Sequence, residues 1–255
     1  MNRGKIPGKY LNHSGNMEPP NILRYHHLRK PSAAYFAVSG GMEVLGLQNL
    51  PADGKAMMIP SNHESWLDIP AHGEAAWKAR IYLRMLAKTA LWDLRAIGPY
   101  FGDFLEGAGA VPTLREGHAV TPQVGERMDK LVSNDAAIVN FIQKSRKNHE
   151  PYLVGKEVGP GAALIAMTYG LPLYPAGVAG TREKSFITVS YGEKIPVDKY
   201  DIDHSDRRSI TKDVVADARE LTQVMKNEVQ INVDIAKEAR ASRLPGARLR
   251  SARRT

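Results

Sequence analysis

The chain predicts an α/β fold: a largely parallel central sheet flanked by helices, with a helical N-terminal segment and a long C-terminal helix. Three observations lead there. Short apolar runs of strand length (Met57 to Ile59, Ile81 to Ala87, Ala136 to Ile142, Leu171 to Val178) alternate with segments of helical pattern. Alternation of this kind gives a parallel sheet covered on both faces. Further on, Ile210, Val214, Ala218, Leu221, Met225 and Val229 recur at helical spacing, so a long helix runs from about Asp206. Finally, 255 residues without a cysteine can bury a sizeable core and need no disulfide staple.

The elements follow in order. Residues 1–21, with Gly, Pro and Asn, read as a flexible leader; 22–240 read as one domain and 241–255 as a basic flexible tail. Tyr35, Phe36, Val38, Met42, Leu45 and Leu47 give residues 22–47 an apolar surface broken at Gly40-Gly41, which suits one or two short helices. Met57 to Ile59 is the first central strand, and a helix from about Ser65 to Lys78 follows it. Ile81 to Ala87 is the next strand, with Lys88 to Arg95 a short helix. A helix over Pro122 to Ser133 precedes the strand Ala136 to Ile142. The helix Ala162 to Tyr169 ends at Gly170, a residue suited to a C-terminal cap, and Leu171 to Val178 is again a strand. Phe186 to Tyr191 alternates as a strand should, and there is no internal repeat.

Chemistry concentrates in Ser61-Asn62-His63-Glu64-Ser65-Trp66-Leu67-Asp68, directly after the first strand. On one straight helix His63 and Asp68 would point about 140° apart, so they meet only across a bend. A loop that leaves the strand at His63, with Ser65 capping the next helix and Asp68 in its first turn, supplies that bend. A histidine that removes a proton from a hydroxyl needs such a carboxylate on its other ring nitrogen, to fix the tautomer and balance the imidazolium. The alternative is a loop histidine bonded to the start of a helix. Other motifs fail. Gly107-Ala108-Gly109-Ala110 lacks the third glycine of a dinucleotide fingerprint, and His63-Glu64 is followed by Leu67 where a zinc site needs His. Asp201 to Asp206 lacks the glycine of a calcium loop, so no metal is expected.

The blocks that surround this motif carry a resemblance. Gly46-Leu47-Gln48-Asn49-Leu50-Pro51 leads in; Asn62 to Asp68 then has the form N-H-x-S-x-x-D. Ala87-Lys88-Thr89-Ala90-Leu91, Gly109-Ala110-Val111-Pro112-Thr113-Leu114-Arg115 and Leu171-Pro172-Leu173-Tyr174-Pro175 follow, with Gly192 to Pro196 as a late strand. In order and spacing the chain resembles, from about Gly46 to Val197, the glycerolipid (lysophosphatidate-type) acyltransferase superfamily. One block departs. Where that family has Phe-Pro-Glu-Gly-Thr-Arg, this chain has Phe141-Ile142-Gln143-Lys144-Ser145-Arg146. Gln143 removes an acid, and Lys144 removes a glycine that accepts positive φ without steric cost.

The resemblance implies an acyltransferase-like fold and an O-acyltransferase of phospholipid biosynthesis. The donor is a thioester on coenzyme A or acyl carrier protein, and no cofactor is required. His63 is the base and Asp68 its partner. Arg115 meets the acceptor's phosphate, with Lys88, Lys144, Ser145 and Arg146 as helpers, while Asn62, Ser65, Gly109, Pro172 and Pro175 shape the site. The acceptor is a lysophosphatidate-like lipid. The altered block opens a second reading, a glycolipid, aminolipid or secondary-metabolite acceptor. The segment Ile97 to Leu105 either lines an acyl tunnel, dips into a bilayer or is partly buried beneath the block at Gly109.

Charge and hydropathy bear on partners. A net charge of +8, with basic residues in Arg24 to Lys30 and Arg240 to Arg254, suits an anionic membrane surface, at about 1 kcal/mol per basic residue near it. No apolar run approaches the roughly 20 residues of a membrane span. The polar N-terminus is unlike a signal peptide, so a cytoplasmic protein at the inner face of the membrane is expected. Nucleic acid is not an expected partner, for want of a recognition helix, RNP-like strand or zinc motif. A catalytically silent surface-binding protein is the reading from another class.

Overall fold

The structure, a computed structural model, describes residues 22–51, 54–81, 83–88, 110–113, 122–143, 150–155, 157–200 and 212–244, with the side chains of 22–28, 88, 112, 113, 122–124 and 127 excepted. Strands β1 (Met42–Leu45), β2 (Met57–Ser61), β3 (Leu83–Lys88), β4 (Ala110–Thr113), β5 (Ala137–Phe141), β6 (Ala176–Ala179) and β7 (Ile187–Tyr191) form one sheet in the order β1-β7-β6-β2-β5-β3-β4. Every neighbouring pair is parallel except β6–β7. The helices are α1 (Ile22–Val38), α2 (Asp68–Ala79), α3 (Pro122–Ser133), α4 (Gly161–Tyr169) and α5 (Lys212–Arg243). The expected α/β architecture is the observed one.

β2 is buried at every residue, because helices cover both faces. Met57 and Ile59 face the core shared with Phe36 of α1 and Ala71, Ala75 and Ala76 of α2. Met58 faces the opposite core, with Met128 of α3, Leu164 and Met167 of α4, and Leu221, Met225 and Val229 of α5. A strand buried on both sides reads as a continuous apolar run, which is what Met57 to Ile59 supplies. α1 docks on α2 through Arg29, whose guanidinium donates to both Glu74 carboxylate oxygens at 2.8 and 3.1 Å and lies 4.7 Å over the Trp77 ring.

Several boundaries differ from expectation. Where one or two short helices are expected over 22–47, the chain forms one helix, then strand β1, and a short 3-10 turn opens at Leu47. Gly40 and Gly41, at φ +98° and +106°, turn the chain out of α1, and Met42 to Leu45 pair with β7. Gly46 follows at φ +71°, where a Cβ would stand 1.9 Å from the Tyr191 carbonyl oxygen. The strand expected from Leu171 shortens to β6, because Pro172 and Pro175 have no N–H to give a ladder; Leu173 makes only isolated bridges to Met58 and Ile195. Gly192 to Pro196 is accordingly not a strand. Lys88 ends β3 instead of opening a helix, and α5 continues to Arg243, beyond residue 240, where that arginine pairs with Glu43 at 2.7 Å. The leader, Thr89 to Arg95, Ile97 to Leu105 and the start of the last helix before Lys212 lie outside the described residues.

α5 crosses β6 with its backbone unusually close and packs its Asn232 side chain against the end of β7. A Cβ on Gly177 would lie 2.2 Å from the carbonyl carbon of Asn232 and the nitrogen of Val233, and one on Gly192 would lie 2.4 Å from the Asn232 Nδ2. Backbone atoms cannot swing aside as a flexible side chain can. Gly177→Ala is therefore expected to destabilise the fold by about 3 kcal/mol or more, read as a fall in the urea midpoint at unchanged m-value. An unaltered midpoint would contradict this packing.

Candidate active site

The site begins where β2 ends. The Asn62 side chain continues the sheet in place of backbone: its Nδ2 donates to the Val178 carbonyl at 2.9 Å, and the Val178 N–H donates to its Oδ1 at 2.8 Å. The main chain is thus free to leave the sheet at His63, at the carboxyl end of a central strand, where open α/β sheets place their sites. The His63 N–H donates to Gln143 Oε1 at 2.5 Å, and the imidazole stacks on Phe141, with centroids 4.2 Å apart and planes 18° from parallel.

The bend required by the spacing is present. His63 Nδ1 lies 2.9 Å from Asp68 Oδ2. That oxygen also accepts the N–H groups of Glu64 at 2.7 Å and Ser65 at 2.8 Å, and Oδ1 accepts the Thr181 hydroxyl at 2.5 Å. Asp68 opens α2, where the helix dipole favours a negative side chain. The Asp68 side chain is fully buried while that of His63 is 17 % exposed, so the carboxylate is sealed and the imidazole reaches the surface. With Nδ1–H donated to the carboxylate, Nε2 is the basic nitrogen.

Ser65 takes a different part from the one expected. It does not cap α2, whose N-cap position is Leu67 with no side-chain bond. The Ser65 hydroxyl instead accepts the Leu67 N–H at 3.0 Å and donates to the Thr181 carbonyl at 3.2 Å, forming a turn before the helix. The helix starts at Asp68 because the N–H groups of Glu64 and Ser65 are spent on the carboxylate and that of Leu67 on the Ser65 hydroxyl.

The remaining expected site residues divide in two. Arg115, Lys144, Ser145, Arg146 and Gly109 lie outside the described residues, as does the side chain of Lys88, whose backbone ends β3. Pro172 sits beside Met58, toward the end of β2 away from His63, with its carbonyl accepting the Met58 N–H at 3.0 Å. Pro175 is buried and accepts the Gly192 N–H at 2.8 Å. β2 and the segment before β6 run parallel, with Leu173 bridging Met58 and Ala176 paired with Ser61.

Gln143, read from sequence as the loss of an acid, is only 4 % exposed and has both amide ends engaged: Oε1 with His63 and Nε2 with the Leu153 carbonyl at 3.4 Å. Glu64, given no role by the sequence, is buried and accepts the Tyr152 N–H at 3.3 Å. Thr181 is not marked by any motif in the sequence, and Phe141 stands there only as the first residue of the departing block, with no role. The place of Phe141 at the end of β5, opposite Ser61, follows from the strand register.

Beneath the pair lies a second histidine. His72, one turn after Asp68, is fully buried, with Nε2 2.9 Å from the Ser61 hydroxyl and Nδ1 3.3 Å from the Tyr191 hydroxyl. Burial pushes its pKa down from 6.5 to about 4; the Asp68 charge opposes that and the His63 charge adds to it. The group is held neutral in the fold, so its contribution is complete above pH 6.5 and disappears as pH falls toward 4. Across that window the linkage is worth about 3 kcal/mol, of which about 2 kcal/mol is lost between pH 7 and pH 5. Urea unfolding at the two pH values should show that excess loss in the wild type and not in His72→Gln. Equal losses in both would contradict it.

Residues 41–179 match the family model described as Acyltransferase. No curated protein matches the chain. Among solved structures, the chain is similar to the 1-acyl-sn-glycerophosphate (LPA) acyltransferase PlsC from Thermotoga maritima, with a TM-score of 0.53, 16 % identity, and coverage of 84 % of this chain and 83 % of that one. At that identity the likeness is one of fold.

Proposed function

Because this chain belongs to the acyltransferase family, we propose that it moves a fatty acyl group from a thioester donor to the hydroxyl of a lysophosphatidate-like glycerophospholipid. The observation that carries this reading is the 2.9 Å contact between His63 Nδ1 and Asp68 Oδ2 at the carboxyl end of β2, with the acid buried and the imidazole partly open. His63 Nε2 takes the proton of the acceptor hydroxyl as its oxygen attacks the thioester carbonyl. Asp68 holds the ring and balances its charge. The tetrahedral intermediate expels the thiolate, which recovers the proton from the imidazolium. No acyl-enzyme forms, and no cofactor takes part. The donor is coenzyme A or acyl carrier protein.

Arg115 is the residue proposed to grip the acceptor phosphate, since a guanidinium can bind two phosphate oxygens at once. Lys88, Lys144, Ser145 and Arg146 are proposed to assist. Among the described residues no helix is long and apolar enough to cross a membrane. Basic termini supply the electrostatic attraction by which the protein would work at the inner, anionic face of the membrane.

One observation favours a second acceptor class. Gln143 stands where the family's third block has an acid, and its buried amide is spent on main-chain groups. It offers the acceptor no carboxylate, so a glycolipid, aminolipid or other hydroxyl compound is the alternative substrate.

Purified protein given acyl-CoA or acyl carrier protein and a panel of acceptors separates these readings. Transfer to lysophosphatidate should fall by ~10²–10⁴-fold in His63→Ala. Arg115→Ala should raise KM for phosphorylated acceptors alone. Transfer that survives His63→Ala would end the proposal, and transfer to unphosphorylated acceptors only would select the second class.

A further inference from the structure

The stretch that matches the family model stops at residue 179, yet one face of α5 reaches two loops that touch the catalytic loop. We infer that Arg240 of this helix is a positioning residue for the His63–Asp68 pair. The inference rests on the proposal that this pair is the general base.

Arg240 is nearly enclosed, with 11 % of its side chain exposed. Its guanidinium spreads over three acceptors. Nε donates to the Phe186 carbonyl at 2.9 Å, Nη2 to the Ser185 hydroxyl at 2.5 Å, and Nη1 to the Tyr152 hydroxyl at 3.2 Å. The Glu183 carboxylate stands 3.9 Å from Nη2. A planar fork of donors can serve such divergent acceptors; a single ammonium cannot span them.

The first branch is the loop from Gly180 to Phe186. It closes on itself through the Ser185 N–H and the Gly180 carbonyl at 3.3 Å. Gly180 has φ +92°, and a Cβ there would lie 2.7 Å from Arg240 Nε and 2.2 Å from the Phe186 carbonyl oxygen. The glycine thus makes room for the guanidinium. The next residue, Thr181, donates its hydroxyl to Asp68 Oδ1 and accepts the Ser65 hydroxyl on its carbonyl.

The second branch is Tyr152, a non-glycine residue held at φ +66°. Such a conformation persists only when its surroundings fix it. Gln230 of α5 does so, donating to the Tyr152 carbonyl at 3.0 Å and accepting the Val154 N–H at 2.8 Å, while Lys237 lies 5.4 Å over the phenol ring. Burial, then the hydrogen bond to Glu183, raises the Tyr152 phenol above its ordinary range, so it stays neutral beside Arg240. The Tyr152 N–H donates to the Glu64 carboxylate, and the Glu64 N–H donates to Asp68 Oδ2. The two branches approach different oxygens of one carboxylate. Loosening Arg240 therefore frees Asp68 from both sides without removing any group that touches substrate.

The test compares Arg240→Met, Arg240→Lys, Thr181→Val and the Arg240→Met/Thr181→Val double variant in the full chain. Arg240→Met should lower kcat by about 10- to 100-fold while KM for the acyl-CoA donor stays within about twofold. Arg240→Lys should fall in between. The double variant should lose less than the product of the single losses, because both act on one carboxylate. In the resting protein, the low-field Nδ1–H proton resonance of His63 should broaden or vanish in Arg240→Met. An unchanged kcat in folded Arg240→Met, a loss confined to KM or thermal stability, multiplying losses, or an undisturbed His63 resonance would each overturn the inference. Should Arg240→Met fail to fold, Arg240→Lys carries the same comparison. A wild type that transfers no acyl group would refute the proposed function, and the resonance would still decide on Arg240.

Discussion

The Asp68 carboxylate is the constraint on which the site is built. One buried group at the start of α2 collects donors from the loop after β2, from its own helix approach and from the loop after β6. A buried carboxylate is costly unless its oxygens are satisfied, and here both are. Satisfying them has structural consequences: residues 64–67 must curl, α2 cannot begin before Asp68, and the imidazole is brought to the same oxygen. Geometry that satisfies the carboxylate also aims the imidazole.

The rest of the fold keeps that carboxylate in place. β2 lies in mid-sheet, buried on both faces, so the loop leaving it starts from a rigid base. Asn62 ties the first residue of the loop to β6, and Gln143 ties His63 to the end of β5. Close backbone approach of α5 to β6, possible through Gly177, and the room that Gly192 leaves for the Asn232 side chain bring the helix near the loop that carries Thr181. The helix, which follows the matched stretch in sequence, is thereby linked to the chemistry at the sheet's end.

What could be read from sequence was local. β2, α3 and α4 follow from periodicity and from Gly170, and the His63–Asp68 contact follows from a short spacing at a strand-to-helix turn. β1 escaped notice because four residues behind a pair of glycines carry too little pattern to outweigh a helical reading. Thr181 escaped because its partner is 113 residues away, a separation that no motif encodes. Gln143 stood out as a departure, but its role depends on which main-chain groups meet its amide, and only the packed structure specifies those. Block order alone does not place the prolines; strand register sets Pro172 beside Met58.

The proposed chemistry requires one carboxylate to act through one imidazole, and Asp68→Asn examines that most directly, since it keeps the shape of the side chain while removing its charge. The measurement is the acceptor-dependent release of free thiol from acyl-CoA by the folded variant. A fall in kcat of ~10²–10⁴-fold, with donor binding retained, is the predicted result. Turnover equal to that of the wild type would contradict a role for Asp68 in the chemistry.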